Sequence, residues 1–183
     1  MSQKTVAVVV GSIRKESFNR QFAEALVKQF PAELKAQFIR IDDLPLYNQD
    51  DDGNPAPQVT RLRGEIKAAD AVLFVTAEYN RSIPGVLKNA LDWVSRTKGG
   101  VWRDKPLAIV SAADGRPGGA RSQFALRLSM VTSRAAVLPA PEVLIGDSSH
   151  AFGADGQLID PRGVKVLTEL MGALRAEAEK RRT

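Results

Sequence analysis

The loop Gly11–Asn19 follows a continuous apolar run and combines side chains that bind anions. Ser12, Ser17 and Asn19 supply neutral hydrogen-bond donors, and Arg14 supplies a planar cation suited to phosphate oxygens. A buried strand that turns into a helix here also directs backbone N–H groups and the positive end of the helix dipole to the same place. The loop is therefore a candidate phosphate site. An ordinary helix start, capped by Ser17 beside a solvated Arg14, is the alternative interpretation.

Two familiar phosphate motifs are absent from this loop. Neither the dinucleotide fingerprint G-x-G-x-x-G nor the nucleoside-triphosphate loop G-x-x-x-x-G-K-[ST] occurs. A loop rich in hydroxyls suits a terminal phosphomonoester, whose three oxygens need many donors. A bridging pyrophosphate would need closer approach by glycine backbone.

The residue inventory restricts the chemistry further. The chain has no Cys and a single His, His150, which excludes thiolate metal sites and Cys nucleophiles and argues against a His-based zinc site or catalytic triad. We therefore predict no metal site, and chemistry from carboxylates, hydroxyls, backbone dipoles or a cofactor. The net charge of +5 is spread along the chain, so no nucleic-acid partner is expected.

The elements that position these loops alternate between strand and helix. The predicted strands are Thr5–Val10, Ala36–Ile41, Ala71–Thr76, Pro106–Ser111 and Ala135–Leu138, with Val143–Ile145 as a candidate continuation of the fifth. A helix follows each strand, and the last is predicted over Pro161–Lys180. This alternation predicts an α/β fold with a doubly wound parallel sheet, whose ligand lies at the carboxyl ends of the strands.

Length and composition agree with this fold class. With 183 residues, 44% of them hydrophobic, the chain is expected to form one domain over residues 1–183. No apolar run approaches the roughly 18–20 residues that span a bilayer, and the polar start of the chain lacks a signal-peptide pattern. We therefore expect no membrane span and a cytoplasmic location.

The loop after the third strand carries the most specific motif. It reads T-A-E-Y-N-R-S-I-P-G-V-L-K-N-A-L-D-W over Thr76–Trp93. With the first loop, G-S-x-R-x-x-S-x-N, and with G-G-A-R-S-Q at Gly118–Gln123, it resembles the NADPH-dependent FMN reductase family, the flavodoxin-like group that includes quinone and chromate reductases. The resemblance covers nearly the whole chain. Ala77 departs from the family's usual Pro, which leaves the loop less rigid and is expected to weaken flavin binding somewhat.

The resemblance implies a fold, a cofactor and an activity. The fold is a flavodoxin-like five-stranded parallel sheet of order 2-1-3-4-5 with helices on both faces. The cofactor is FMN, with NADPH or NADH as co-substrate. Hydride would pass from the nicotinamide to FMN, and two electrons would then pass to a quinone or a similar acceptor in a ping-pong order, with chromate, azo compounds and free flavin as further acceptors. Because FMN carries this chemistry, no catalytic side chain is predicted.

The family also implies which residues surround FMN. These are Ser12, Arg14, Ser17, Phe18 and Asn19 in the first loop, Glu78, Tyr79, Asn80 and Ser82 in the third, and Ser111, Gly115, Gly118 and Gly119 in the fourth. The first set is expected to bind the phosphate, the second to border the isoalloxazine ring, and the third to let backbone approach the ring's pyrimidine side. The alternatives are a surface turn at Glu78–Asn80 and simple loop flexibility at the glycines.

A homodimer or homotetramer is likewise implied by the family. Candidate contacts are Leu87–Trp93 and Phe124–Val131, because their apolar residues exceed the needs of one buried helix stripe.

Two rival functions are compatible with the same loops. A flavodoxin-like electron carrier would bind FMN without turning over NAD(P)H, although such carriers are typically acidic and this chain is basic. A non-flavin binding module would use the first loop for another phosphate ester.

Overall fold

The structure is a computed structural model that describes residues 3–180. Within these residues it has six strands and five α-helices. The strands are β1 (Lys4–Gly11), β2 (Leu34–Ile39), β3 (Ala71–Thr76), β4 (Pro106–Ala112), β5 (Ala136–Val137) and β6 (Val143–Ile145). The helices are α1 (Phe18–Val27), α2 (Pro57–Ala68), α3 (Gly85–Ser95), α4 (Ala120–Met130) and α5 (Pro161–Lys180).

The strands form one parallel sheet in the order β2-β1-β3-β4-β5, which confirms the flavodoxin-like arrangement. β3 and β4 are buried along their whole length, as a parallel sheet covered on both faces requires. The carboxyl ends of β1, β3 and β4 therefore meet at one edge of the sheet, and the three loops with candidate chemistry leave from there.

The two faces of the sheet hold separate cores. Val6, Val8 and Val10 of β1 pack with α1 and α5, whereas Ala7 and Val9 pack with α2, α3 and α4. Successive side chains of a strand point to opposite faces, so one continuous apolar run supplies both cores. Burial on both faces explains why β1 and β3 lack an alternating polar pattern.

The predicted fifth strand is divided in two. β5 and β6 both pair with β4, at Pro106–Leu107 and at Val110–Ala112 respectively. Pro139 and Pro141 lie between them and carry no N–H for the ladder, so the pairing stops and resumes. The sheet has six strands rather than the predicted five.

β2 is the other element that differs from its predicted bounds. It runs two residues earlier than predicted, because its pairing with β1 begins at Lys4 opposite Leu34. Ile41 was predicted to end the strand, and it is only 5% exposed although it lies beyond the strand. An apolar residue buried by a loop therefore shifted the predicted boundary. Of the described helices, none is long and apolar enough to cross a membrane.

Candidate functional site

A groove of about 210 Å³ lies where β1, β3 and β4 end. Its lining comes from the three loops that follow these strands. The lining residues are Ser12, Arg14, Ser17, Phe18, Asn19, Ala77, Glu78, Tyr79, Ala112, Ala113 and Asp114. All predicted residues of the first loop line the groove, together with two from the third. The predicted Asn80, Ser82, Ser111, Gly115, Gly118 and Gly119 lie outside this lining.

The start of α1 forms the anion-binding end of the groove. The Ser17 side chain accepts a hydrogen bond of 3.3 Å from the Arg20 N–H, which confirms the predicted N-cap and leaves the Ser17 hydroxyl hydrogen free to donate. In the part of the chain that the structure describes, the backbone N–H groups of Ser12, Ile13, Phe18 and Asn19 make no hydrogen bond to a protein acceptor, whereas Lys15 and Glu16 form a turn. These free N–H groups and the helix dipole make the loop a site for a negatively charged group.

Arg14 lies across the mouth of this loop. Its guanidinium carbon is 4.9 Å from the centroid of the Phe18 ring, and its Nη2 donates to the carbonyl of Glu16. This exposed side chain is therefore held by a cation–π contact and a hydrogen bond to the loop itself, which differs from the solvated Arg14 of the alternative interpretation. The cation therefore lies at the groove.

Asn19 joins the first loop to the fourth. Its side chain is buried, its Nδ2 donates to the Ala112 carbonyl at 2.8 Å, and its Oδ1 accepts from the Ala112 N–H at 2.9 Å. Both functional groups of the amide thus engage one backbone residue at the end of β4. The interaction sets the width of the groove between α1 and the fourth loop.

The third loop contains a tight turn at Tyr79–Ser82. Asn80 and Arg81 have φ values of 49° and 65°, and Tyr79 and Ser82 exchange backbone hydrogen bonds of 3.1 and 3.0 Å. Two successive left-handed residues define a type I′ turn, in which Asn is favoured. The surface-turn interpretation of this segment is therefore correct as to conformation. The turn leaves Tyr79 half exposed beside the groove.

The Glu78 carboxylate caps the N-terminus of α4, although Glu78 belongs to the third loop. Its Oε2 accepts from the N–H groups of Arg121 at 3.0 Å and Ser122 at 3.3 Å, and its Oε1 accepts from the Arg121 guanidinium at 3.1 Å. Gly119 occupies the N-cap position and has no side chain that could accept a hydrogen bond from the first N–H groups of α4. The Glu78 carboxylate accepts these hydrogen bonds instead. Glu78 thereby fixes the third loop against the helix that follows the fourth.

The fourth loop is shaped by its own buried polar groups. Ser111 is fully buried; its hydroxyl donates to the Gly118 carbonyl at 2.5 Å and accepts from the Gln123 amide at 2.8 Å. The same amide nitrogen donates to the Val143 carbonyl at 2.8 Å. Ser111 is therefore a structural residue of this loop, and its side chain is closed off from the groove.

The two adjacent glycines of this loop, Gly118 and Gly119, pack against other protein atoms. We had expected them to let the backbone approach a ligand. Gly118 has φ 57°, and a Cβ there would lie 2.9 Å from the Leu144 carbonyl carbon. Gly119 has φ 86°, and a Cβ there would lie 2.8 Å from the Ser111 side chain. Both conformation and space demand glycine, so these residues are fixed by packing rather than by loop flexibility. Gly115 differs, because the nearest atom to its Cβ would be 3.6 Å away.

Sequence reasoning missed four residues of the lining, namely Ala77, Ala112, Ala113 and Asp114. Ala112 ends β4, and Ala113 and Asp114 follow it directly, so their position at a strand end was the signal that could have identified them. Asp114 also accepts a hydrogen bond of 2.9 Å from the Ser149 N–H, which ties this loop to the one before α5.

An open parallel sheet with a phosphate-like donor set after its first strand defines a class of protein. The ligand groove lies at the carboxyl ends of the strands, as in flavodoxin-like folds that bind FMN. The chain matches the NADPH-dependent FMN reductase family over residues 4–150, and it belongs to that family.

Individual relatives agree with this assignment. The chain is 46% identical over 158 residues to a quinone reductase of Pseudomonas putida, covering 85% of each chain. It is 41% identical to a 2-hydroxy-1,4-benzoquinone reductase of Burkholderia sp., covering 97% of each. Among solved structures, the flavoenzyme NAD(P)H:(acceptor) oxidoreductase FerB from Paracoccus denitrificans superimposes with a TM-score of 0.89 at 38% identity, covering 97% of this chain and 98% of that one.

The protein is accordingly an oxidoreductase with FMN as cofactor and NAD(P)H as co-substrate. The donor set at α1 fits the phosphate of FMN, since free backbone N–H groups, the Ser12 and Ser17 hydroxyls and the Arg14 guanidinium converge on one groove.

Proposed function

We propose that the protein oxidises NAD(P)H and reduces a quinone in two half-reactions at the groove between the first, third and fourth loops. FMN, when bound there, supplies the chemistry of hydride acceptance and two-electron donation. The observation that carries the proposal is the set of backbone N–H groups that have no protein acceptor among the described residues at the start of α1, in a chain that matches the family over residues 4–150. The quinone reductase relatives support a quinone as the acceptor.

The side chains of the groove divide into binding and positioning residues in this proposal. Ser12, Arg14 and Ser17 bind the phosphate, and Phe18 keeps Arg14 in place. Asn19 acts by fixing the spacing between the first and fourth loops, because its amide already engages Ala112.

The third and fourth loops surround the remainder of the cofactor. The Tyr79–Ser82 turn, including Asn80, borders the isoalloxazine ring, and Glu78 holds that turn against α4. Gly115 leaves room for backbone to approach the ring. Ser111, Gly118 and Gly119 act indirectly, through the shape of the fourth loop. Ala77, which stands where the family usually has Pro, is buried. The Glu78 carboxylate and the hydrogen bonds between Tyr79 and Ser82 restrain the loop beside it.

A ping-pong order follows from the proposal because one groove must serve both substrates. The oxidised nicotinamide leaves before the acceptor enters, and chromate, azo compounds and free flavin are further acceptors of the same kind. Steady-state rates measured over a grid of NAD(P)H and quinone concentrations test this order. Parallel double-reciprocal lines are expected, and intersecting lines would contradict a ping-pong mechanism.

We further propose one domain over residues 1–183, acting in the cytoplasm, where reduced nicotinamide nucleotides are available. The rival with the same cofactor is an electron carrier without NAD(P)H turnover. The FMN content of the purified protein and its NAD(P)H oxidation against a panel of quinones separate the two functions. A flavin-loaded protein with no NAD(P)H oxidation would favour the carrier.

We also propose a homodimer or homotetramer. Phe124 and Leu128 of α4 and Val131 just after it are 56%, 74% and 69% exposed, whereas the buried face of α4 carries Leu126 and Met130. An apolar row of this kind on a soluble surface is typical of a protein contact. The other predicted contact segment is Leu87–Trp93. Its large side chains Leu87 and Trp93 are fully buried within the protomer, so they are not available for a contact between subunits.

A further inference from the structure

A second cavity, of about 440 Å³, lies at the carboxyl ends of β1 and β2. We call it the basic groove; its charged and aromatic lining consists of Arg14, Lys15, Arg20, Phe38, Arg40 and Asp42. It shares Ser12 and Arg14 with the candidate FMN groove. The two grooves are therefore neighbours across the first loop, and one extended ligand is able to contact both.

Positive charge dominates the basic groove. Four cationic side chains line it, against the single carboxylate of Asp42. Arg40 is 2.8 Å from Asp42 and 3.9 Å from Asp43, and Arg20 has only a distant ion pair, 3.8 Å, with Glu24. Lys15 makes no ion pair within residues 3–180. Cations gathered in a concave surface repel one another until an anion neutralises them, so the groove favours a ligand with negative charge.

A flat surface accompanies this charge. The Arg20 guanidinium carbon lies 5.1 Å from the centroid of the Phe38 ring, and Phe38 is 39% exposed on β2. A nucleobase packs well on an exposed aromatic ring and on a guanidinium group beside it. The groove thus combines donors for a phosphate with a platform for a purine.

We propose that the basic groove binds the 2′-phosphate of the adenosine half of NADPH, with Arg20 and Arg40 as its main donors. This inference rests on the proposed function, because it assigns the co-substrate's far end to a place beside the FMN phosphate loop. Rossmann folds give a precedent for this placement, since an Arg about 20 residues beyond their first loop accommodates the 2′-phosphate of NADP. Here the order β2-β1-β3 places the end of β2 directly beside the first loop.

The guanidinium groups of Arg20 and Arg40 suit a phosphate monoester for two reasons. Their planar forks donate pairs of hydrogen bonds to phosphate oxygens, and they keep their charge at any physiological pH. Their side chains are 51% and 64% exposed, so their replacement leaves no buried charge unpaired.

The test is the double variant Arg20→Gln/Arg40→Gln, loaded with FMN, with Arg162→Gln as a control for loss of one exposed cation elsewhere. We expect the KM for NADPH to rise at least about tenfold in the double variant, as for lost charge-assisted hydrogen bonds, while the KM for NADH changes less than about twofold. Arg162→Gln should leave both KM values at wild-type levels. Equal increases for NADPH and NADH, or no increase for NADPH, would overturn the proposal.

Direct binding separates this inference from the proposed function. Calorimetric titration of the FMN-loaded wild type should show 2′,5′-ADP binding at least about tenfold more tightly than 5′-AMP, and the double variant should lose that preference. Equal affinity for the two nucleotides in the wild type, or an unchanged preference in the variant, would overturn the assignment. If neither NADPH nor NADH reduces the bound flavin, the proposed function fails, and the nucleotide titration still decides whether the groove recognises a 2′-phosphate.

Discussion

Three polar side chains of the site, Asn19, Glu78 and Ser111, direct their hydrogen-bonding groups to backbone atoms of the protein. Asn19 and Glu78 each join two segments that are far apart in sequence, whereas Ser111 fixes the fourth loop itself, and all three side chains are mostly or wholly buried. A buried polar group that loses its partner costs about 1–3 kcal/mol, so these contacts restrain the loops strongly. These contacts hold the loops of the groove in place, and restrained loops lower the entropic cost of binding.

Arg14 and Ser17 should respond differently to truncation. Arg14→Ala removes a charge-assisted donor worth about 1.5–3 kcal/mol, so FMN affinity should fall roughly 10- to 100-fold. The apoprotein should lose no more than about 0.5–1 kcal/mol, the value of an exposed cation–π contact such as that with Phe18. Ser17→Ala should destabilise the apoprotein by about 1 kcal/mol through the lost helix cap.

Flavin titrations and denaturant unfolding of both apo variants measure these effects. If Arg14→Ala binds FMN as tightly as wild type, the phosphate does not lie where we place it.

His150 is the single histidine and carries a pH-dependent interaction. The hydrogen bond that the His150 imidazole donates to the Asp147 carboxylate, at 3.0 Å, and then the negative charge of that carboxylate raise the pKa of His150 above its ordinary value. A raised folded-state pKa means that this stabilisation is fully present below the ordinary pKa of histidine and is lost as pH rises through the folded pKa. Titration of the imidazole by NMR should show a lower midpoint in Asp147→Asn than in wild type. The control Asp155→Asn should keep the wild-type midpoint, and equal midpoints in all three proteins would contradict the assignment.

The sequence predicted the site's loops better than the roles of their residues. Residue type and strand position identified the first loop and its cap because both depend on local structure. The partners of Glu78 and Asn19 are more than forty and ninety residues away, respectively, and no local pattern reveals them. A family motif marks such residues as functional without distinguishing a ligand contact from a helix cap.

At the scale of elements, α4 depends on a cap that another loop supplies. Glu78→Ala removes the acceptor of two backbone N–H groups and an ion pair, so we expect a loss of about 1–2 kcal/mol in the free energy of unfolding. Glu78→Gln keeps an oxygen acceptor and should lose less than Glu78→Ala.

Urea unfolding of the two apo variants beside wild type provides the comparison, and FMN titration reports whether the third loop has moved. Equal stability of Glu78→Ala and wild type would show that the carboxylate does not cap α4.

The sequence predicted well the bounds of those strands and helices whose own residues carry a clear hydrophobic pattern. β3 and α5 have their predicted bounds, Ala71–Thr76 and Pro161–Lys180, because an uninterrupted apolar run and a long helical period each extend over the whole element. β2 was shifted, and the fifth strand proved to be two, because pairing with a neighbour decides where an edge strand begins and ends. Such pairing is a tertiary property that the strand's own residues specify weakly.

At the scale of the whole molecule, the apolar row on α4 governs association in our proposal. Leu128→Glu places a charge at the centre of that row, so we expect it to dissociate the oligomer while the protomer stays folded, since Leu128 is 74% exposed. The control Leu46→Glu changes another exposed leucine, 85% accessible and distant from α4 in the chain, and should leave the assembly intact.

Sedimentation velocity of wild type and both variants at micromolar concentration and above gives the oligomeric states. A monomeric wild type would refute the proposed assembly, and an oligomeric Leu128→Glu would place the contact elsewhere.

The central claim is that this fold binds FMN and reduces it with NAD(P)H at the groove between the three loops. The most direct test is anaerobic mixing of the FMN-loaded protein with NADPH or NADH, followed by addition of a quinone, while the flavin absorbance is recorded. We predict that the flavin band bleaches with at least one nucleotide and returns when the quinone is added. An unbleached flavin with both nucleotides would contradict the enzyme assignment and favour an electron carrier.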